Sequence, residues 1–177
     1  MALAAGLAKS CGALNGGIKR VGIANLDDLT LSNWTFDAST NLVTTVEAEF
    51  WEFEFEQDTA EIRESAEMTN GVTIYTQEIE IYLRGHNNTI RTALNEFQNN
   101  CGFAVVAEDM NGVLYLMGAS DALGFERPVK LASEAFTSGK ELADLSGSTV
   151  TLSCISTDKM HLIDTTSITF DADLKHA

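Results

Sequence analysis

The sequence predicts a mainly β protein: an antiparallel β-sandwich or barrel of roughly eight to ten strands, with one flanking α-helix at about residues 89–100 and a long β-hairpin. Three observations carry this. Short runs alternating apolar and polar residues recur along most of the chain, separated by Asn, Asp and Gly clusters. Only one stretch has apolar residues at helical spacing. A single proline and thirteen glycines among 177 residues, with 45% hydrophobic and 21% charged residues, fit a folded chain without linkers. No repeat or composition shift divides it, so residues 1–177 are expected to form one domain, with 1–20 a glycine-rich arm that reaches a neighbouring subunit or else an unstructured tail.

In order, Gly17 to Ala24 (GIKRVGIA) reads as a strand closed by a turn at Asn25, Asp27 and Asp28, and Thr30 to Phe36 as a second. Phe50 to Gln57 and Glu61 to Met68 read as a hairpin joined around Asp58-Thr59-Ala60, and Val72 to Leu83 extends it to a three-stranded meander after Thr69-Asn70-Gly71. Within that last strand Val72 and Ile74 differ in parity from Ile79, Ile81 and Leu83, so the apolar face is expected to switch near Thr76-Gln77 at a β-bulge or a change of sheet.

Residues 89–100 (TIRTALNEFQNN) place Ile90, Ala93, Leu94 and Phe97 on one helical face, with Asn88 as the expected N-cap and Asn99, Asn100 and Gly102 as the stop. That stripe needs the apolar face of a sheet. Phe103 to Ala107 and Val113 to Met117 form a hairpin over Asp109-Met110-Asn111-Gly112. Val129 to Thr137 and Ser148 to Ile155 are further strands around a polar connector, and a last one lies at Met160 to Ile163 or Ser167 to Phe170.

Charge narrows the function. With 26 acidic against 11 basic side chains the formal charge is −15, which argues against general nucleic-acid binding and docking on anionic lipid. The densest acidic stretch is Glu47 to Glu67, nine acidic residues with Arg63 alone opposing them. As a strand it turns Phe53 and Phe55 to the core and Glu52, Glu54 and Glu56 to the other face. Such a face is either a solvated edge that discourages sheet aggregation or a surface that repels a polyanion.

Chemistry-bearing motifs are lacking: there is no G-x-S-x-G, P-loop, G-x-G-x-x-G or H-E-x-x-H. Asp109-Met110-Asn111-Gly112 resembles the start of a calcium loop, but an apolar strand follows where ligands would be needed, so a hairpin turn is expected. His86, His161 and His176 are read as structural or solvated, and Cys11, Cys101 and Cys154 as reduced, mostly buried thiols. Neither a signal peptide nor a membrane helix is expected. The expectation is a protein without catalysis, metal or cofactor.

Residues 79–125 (IEIYLRGHNNTIRTALNEFQNNCGFAVVAEDMNGVLYLMGASDALGF) resemble the tail tube proteins of tailed bacteriophages and their ring-forming, Hcp-like relatives. The shared order is a strand, a short amphipathic helix, a hairpin on an acidic Asn-Gly loop, and a glycine-containing segment, here Gly118 to Leu123-Gly124. The connector ELADLSGSTV entering TVTLSCIS resembles the family's final strand pair, so the likeness spans Ile79 to Ile155. It implies a virion structural protein made in the bacterial host cytoplasm: a tail tube subunit in stacked hexameric rings, contacting other phage tail proteins, with DNA passing through a hollow electronegative lumen without sequence-specific binding. Six copies would place roughly 90 formal negative charges on a ring. Glu52, Glu54 and Glu56 then become candidates for a lumen or inter-ring face, and lysine at all three is expected to spare assembly but impair genome ejection. The alternatives are another ring-forming component (terminator, connector or baseplate hub) and, from a different class, a β-sandwich module that binds calcium or a basic partner.

Overall fold

A computed structural model of the chain describes residues 15–175 apart from 30–33, 38, 41, 47, 122 and 142–143. The alternating runs become β1 (Ile18–Asn25), β2 (Trp34–Asp37), β3 (Leu42–Val46), β4 (Trp51–Phe53), β5 (Glu61–Thr69), β6 (Val72–Arg84), β7 (Phe103–Asp109), β8 (Leu114–Met117), β9 (Lys130–Thr137), β10 (Gly147–Ser156) and β11 (His161–Ile163), with the single α-helix α1 (Asn88–Asn99) between β6 and β7. They form two sheets. One has seven strands in the order β2-β3-β11-β8-β7-β1-β4, the other four in the order β5-β6-β10-β9. All the strand pairings are antiparallel except β11 with β3. The expected mainly β architecture with one helix is present.

The large sheet is buried on both faces, which explains the uninterrupted apolar run FAVVA of β7. Val105 faces the four-stranded sheet and packs with Val21, Ile23, Ile79, Ile81, Val150 and Leu152. Its neighbours Ala104 and Val106 face the opposite way, into a second core with Trp34, Val43, Phe50, Leu116, Ile168, Phe170 and Leu174. A strand buried on both sides loses its alternation. The helix closes one side of the first core with Leu94 and Phe97, the latter set edge-on against Phe103 at 5.2 Å.

Two turns show why these residues stand where they do. The Asp109 carboxylate accepts hydrogen bonds from the backbone N–H groups of Asn111 (2.8 Å) and Val113 (2.9 Å), so its oxygens hold a hairpin turn, as the hairpin reading of that tetrapeptide expects. Asn70 and Gly71 join β5 to β6 with φ of 53° and 81°, the left-handed pair that a two-residue hairpin needs.

Four sequence expectations are corrected. Phe50 to Gln57 does not form a hairpin with Glu61 to Met68: β4 pairs with β1 (Val21 opposite Phe53) while β5 pairs with β6 (Ile62 opposite Ile79), so the chain changes sheets between them. Alternation identifies a strand and its inward face but not its partner, and the long hairpin is β5–β6. Nor is there a bulge or sheet change at Thr76-Gln77, because β6 keeps an unbroken register with both neighbours. Gln77 itself points inward, fully buried, donating to the Asp158 carbonyl (3.2 Å) and accepting from the Cys154 thiol (3.4 Å). The N-cap of α1 is Asn87, whose side chain accepts from the Ile90 N–H at 2.9 Å, rather than Asn88. Finally, β3 and the closed turn Phe170–Leu174 went unrecognised in the sequence. Of the arm expected at 1–20, residues 1–14 lie outside the described residues while Ile18 to Arg20 already belong to β1, with Ile18 buried; part of the expected Thr30 to Phe36 strand also lies outside them.

The cap allows a first prediction. Asn87→Ala should cost about 1 kcal/mol of stability in urea denaturation, with Asn87→Ser close to wild type.

Candidate assembly surfaces and the acidic residues

The three nominated glutamates do not share one paired strand: β4 ends at Phe53, and Glu54 and Glu56 lie beyond it with different surroundings from Glu52. Phe53 and Phe55 do pack on the first core as their parity demands. Glu52, opposite Gly22 on β1, lies on the far side of the sheet and accepts from Arg20 Nε at 2.8 Å and from Lys175 Nζ at 2.6 Å. Arg20 also grips Asp171 through two bonds of 2.6 and 2.9 Å and lies 4.3 Å above the Phe170 ring. The Arg20 hydrogen bond, opposed by partial desolvation and aided by Lys175, holds the Glu52 carboxyl at about 2. Reciprocally, Asp171 and Glu52 raise Arg20 above its ordinary value. Glu54 is exposed. Glu56 is half-buried, its N–H donating to the Tyr82 carbonyl at 3.1 Å and its carboxylate 3.3 Å from Arg84.

A different acidic set shares one face. On the outer side of the four-stranded sheet Glu61 stands opposite Glu80, and Arg63 opposite Glu78. Arg63 lies 3.4 Å from Glu61 and 3.7 Å from each of Glu78 and Glu80. The signal for this group was the alternation QEIEIYL, in which Ile79 and Ile81 point inward and so turn Glu78 and Glu80 outward.

Two structural features of this sheet are open to solvent. Its edge strands, β5 with nine residues and β9 with eight, are almost entirely exposed and, among the described residues, pair on one side only. Edge strands of this length are usually shortened, bulged or covered. Beyond the last β10 pairing, Ser156 with Tyr75, residues 67–74 of β5 and β6 pair, among the described residues, only with each other. This two-stranded ribbon carries apolar residues on both faces: Met68 is 75% exposed on one and Val72 53% on the other. An unsupported ribbon of this kind is marginal alone.

The remaining candidates fall in separate places. His161 is enclosed beside the Phe36 ring (4.8 Å), His86 lies at the surface against Phe136 (4.2 Å), and His176 is outside the described residues. Burial pushes the Cys154 thiol up to about 11, whereas Cys101 is exposed, against the expectation of buried cysteines, and Cys11 is not described. Among the described residues no three His, Cys, Asp or Glu side chains gather as metal ligands, and no helix is long and apolar enough to cross a membrane.

The fold and its surfaces thus define a two-sheet, mainly β protein with open sheet edges. No family model, curated protein or solved structure matches the chain.

Proposed function

We propose that this chain is a self-assembling structural subunit, and specifically the tail tube subunit of a tailed-bacteriophage virion, whose rings stack into a hollow tube for DNA. The observation that carries the reading is the four-stranded sheet with two long unpaired edges. The β5 edge of one copy and the β9 edge of the next are different surfaces, and repeated joining of two different surfaces generates either a closed ring or an open filament. Closure would pair both edges of the four-stranded sheet. The projecting β5–β6 ribbon supplies the second kind of contact that stacking requires, with its exposed Met68 and Val72.

In such a ring the outer face of the sheet is one of two curved surfaces, and Glu61, Glu78 and Glu80 are candidates for the lumen alongside exposed Glu54. A lumen with more carboxylates than cations lets DNA slide without being held. Glu52 has a separate assignment, because its charge is matched by Arg20 and Lys175. Negative-stain microscopy of concentrated protein tests the reading: hollow rings or tubes with six-fold end views are expected, and a species that stays monomeric at every concentration would sink it.

A further inference from the structure

The chain after β11 crosses the second core without joining a sheet. Its first residues form a self-contained turn, with the Asp164 carboxylate accepting from the Thr166 N–H (3.0 Å) and the Thr166 and Ser167 hydroxyls (2.7 and 3.2 Å). Beyond it, the backbone bonds of the segment are internal: Asp173 N–H to the Thr169 carbonyl and Lys175 N–H to the Phe170 carbonyl. Among the described residues its far end is tied to the rest of the backbone by one bond, from the Phe50 N–H to the Leu174 carbonyl at 2.6 Å. Three side chains, Ile168, Phe170 and Leu174, enter the core.

The seat is made to receive them. Gly22 leaves room for Phe170, since a Cβ there would stand 3.1 Å from the Phe170 ring and 2.9 Å from Phe50 Cβ. On the solvent side the fastening is ionic: Arg20 grips Asp171, which is 73% exposed, and Glu52 holds Lys175, which is 42% exposed. Charge pairs open to water weaken as salt rises, whereas the apolar contacts beneath them do not. The segment therefore has a hinge that survives opening, a short backbone tie at the isolated parallel bridge between Phe50 and Lys175, and an outer lock that salt can loosen.

We propose that residues 168–175 are a detachable strap, hinged at Asp164–Ser167 and latched by Arg20, whose opening bares the apolar groove of Gly22, Phe50 and Val106 while both sheets stay folded. The strap is then the least stable cooperative unit of the molecule and opens on its own.

Native-state hydrogen exchange of the full chain, read at the Phe50, Asp173 and Lys175 amides against Val106 and Leu152, tests this at about 0.02 and about 0.5 M NaCl, where the Debye length falls from about 20 to about 4 Å. The strap amides should exchange about tenfold faster in high salt while the sheet amides hold their rates. Asp171→Asn, at a largely exposed side chain, should reproduce the fast exchange at low salt and remove most of the salt response. Strap and sheet amides exchanging together would overturn the separate unit. Strap exchange indifferent to both salt and Asp171→Asn would overturn the latch.

Discussion

Glu52→Lys should destabilise the folded subunit by about 2–3 kcal/mol, between the loss expected for an exposed ion pair and that for a buried one. The substitution puts a third cation beside Arg20 and Lys175 and removes the carboxylate that orients both. Glu54→Lys, at an exposed position, should stay within about 0.5 kcal/mol of wild type. Glu56→Lys should fall between, since its partner Arg84 is 68% exposed and such pairs contribute about 0.2–1 kcal/mol. Urea denaturation of the three variants gives the ranking, and a Glu52 variant as stable as the Glu54 variant would remove the ionic cluster from the account.

The same residue fixes a pH dependence. The Arg20 hydrogen bond holds the Glu52 carboxyl at about 2 in the folded state, below its ordinary value of 4.5. A folded-state value below the unfolded one means the unfolded chain binds protons first as pH falls. The stabilisation is therefore complete above about pH 4.5 and drains away between there and about pH 2, with Asp171, lowered by the same Arg20, acting in the same direction. In Glu52→Lys that part of the acid sensitivity should disappear. A triple lysine variant would thus confound folding with the proposed assembly and lumen charge, and Glu54→Lys combined with Glu78→Lys tests the proposed lumen more cleanly.

What the sequence disclosed was decided by period and by turn chemistry. Ile79, Ile81, Leu83, Val150, Leu152 and Cys154 all face inward as their parity requires, and the helix at Asn88–Asn99 buries Leu94 and Phe97 from its predicted stripe. Local chemistry fixed the turns at Asn70-Gly71 and Asp109 for the same reason. What stayed hidden was nonlocal. The partner of β4 is β1, about thirty residues upstream, and nothing in FWEFEF distinguishes that pairing from one with Glu61 to Met68. The short β3, whose sequence LVTTV has two threonines in the middle, joins β11 in parallel across more than a hundred residues. Gln77 shows the converse error: a buried amide satisfied by Asp158 and Cys154 imitates a break in an apolar face.

The acidic residues illustrate the same division. Local pattern assigned Glu52 a side of its strand, but its partners Arg20, Asp171 and Lys175 arrive from β1 and from the end of the chain. A carboxylate within a dense acidic run can therefore be among the best neutralised in the protein. The face that does gather carboxylates around one arginine comes from Glu61, Glu78 and Glu80, on two paired strands.

Met68→Lys combined with Val72→Lys should abolish assembly while leaving the monomer fold intact. Both side chains project from the ribbon, on opposite faces and beyond the reach of β10, so neither contributes to either core. The monomer should accordingly keep its stability within about 0.5 kcal/mol, the usual range for exposed sites. In an assembled ring or stack the same two positions would be covered, and a lysine there must shed its hydration without a prepared counter-charge, a cost of several kcal/mol per contact. Multiplied around a closed ring, that cost converts a modest loss per subunit into an all-or-none failure. Sedimentation velocity should show the variant as a single small species at concentrations where the wild type forms rings, with coincident melting curves for the variant and the unassembled wild type. Assembly that survives the double substitution would take the ribbon out of the interface and leave the β5 and β9 edges as its only basis.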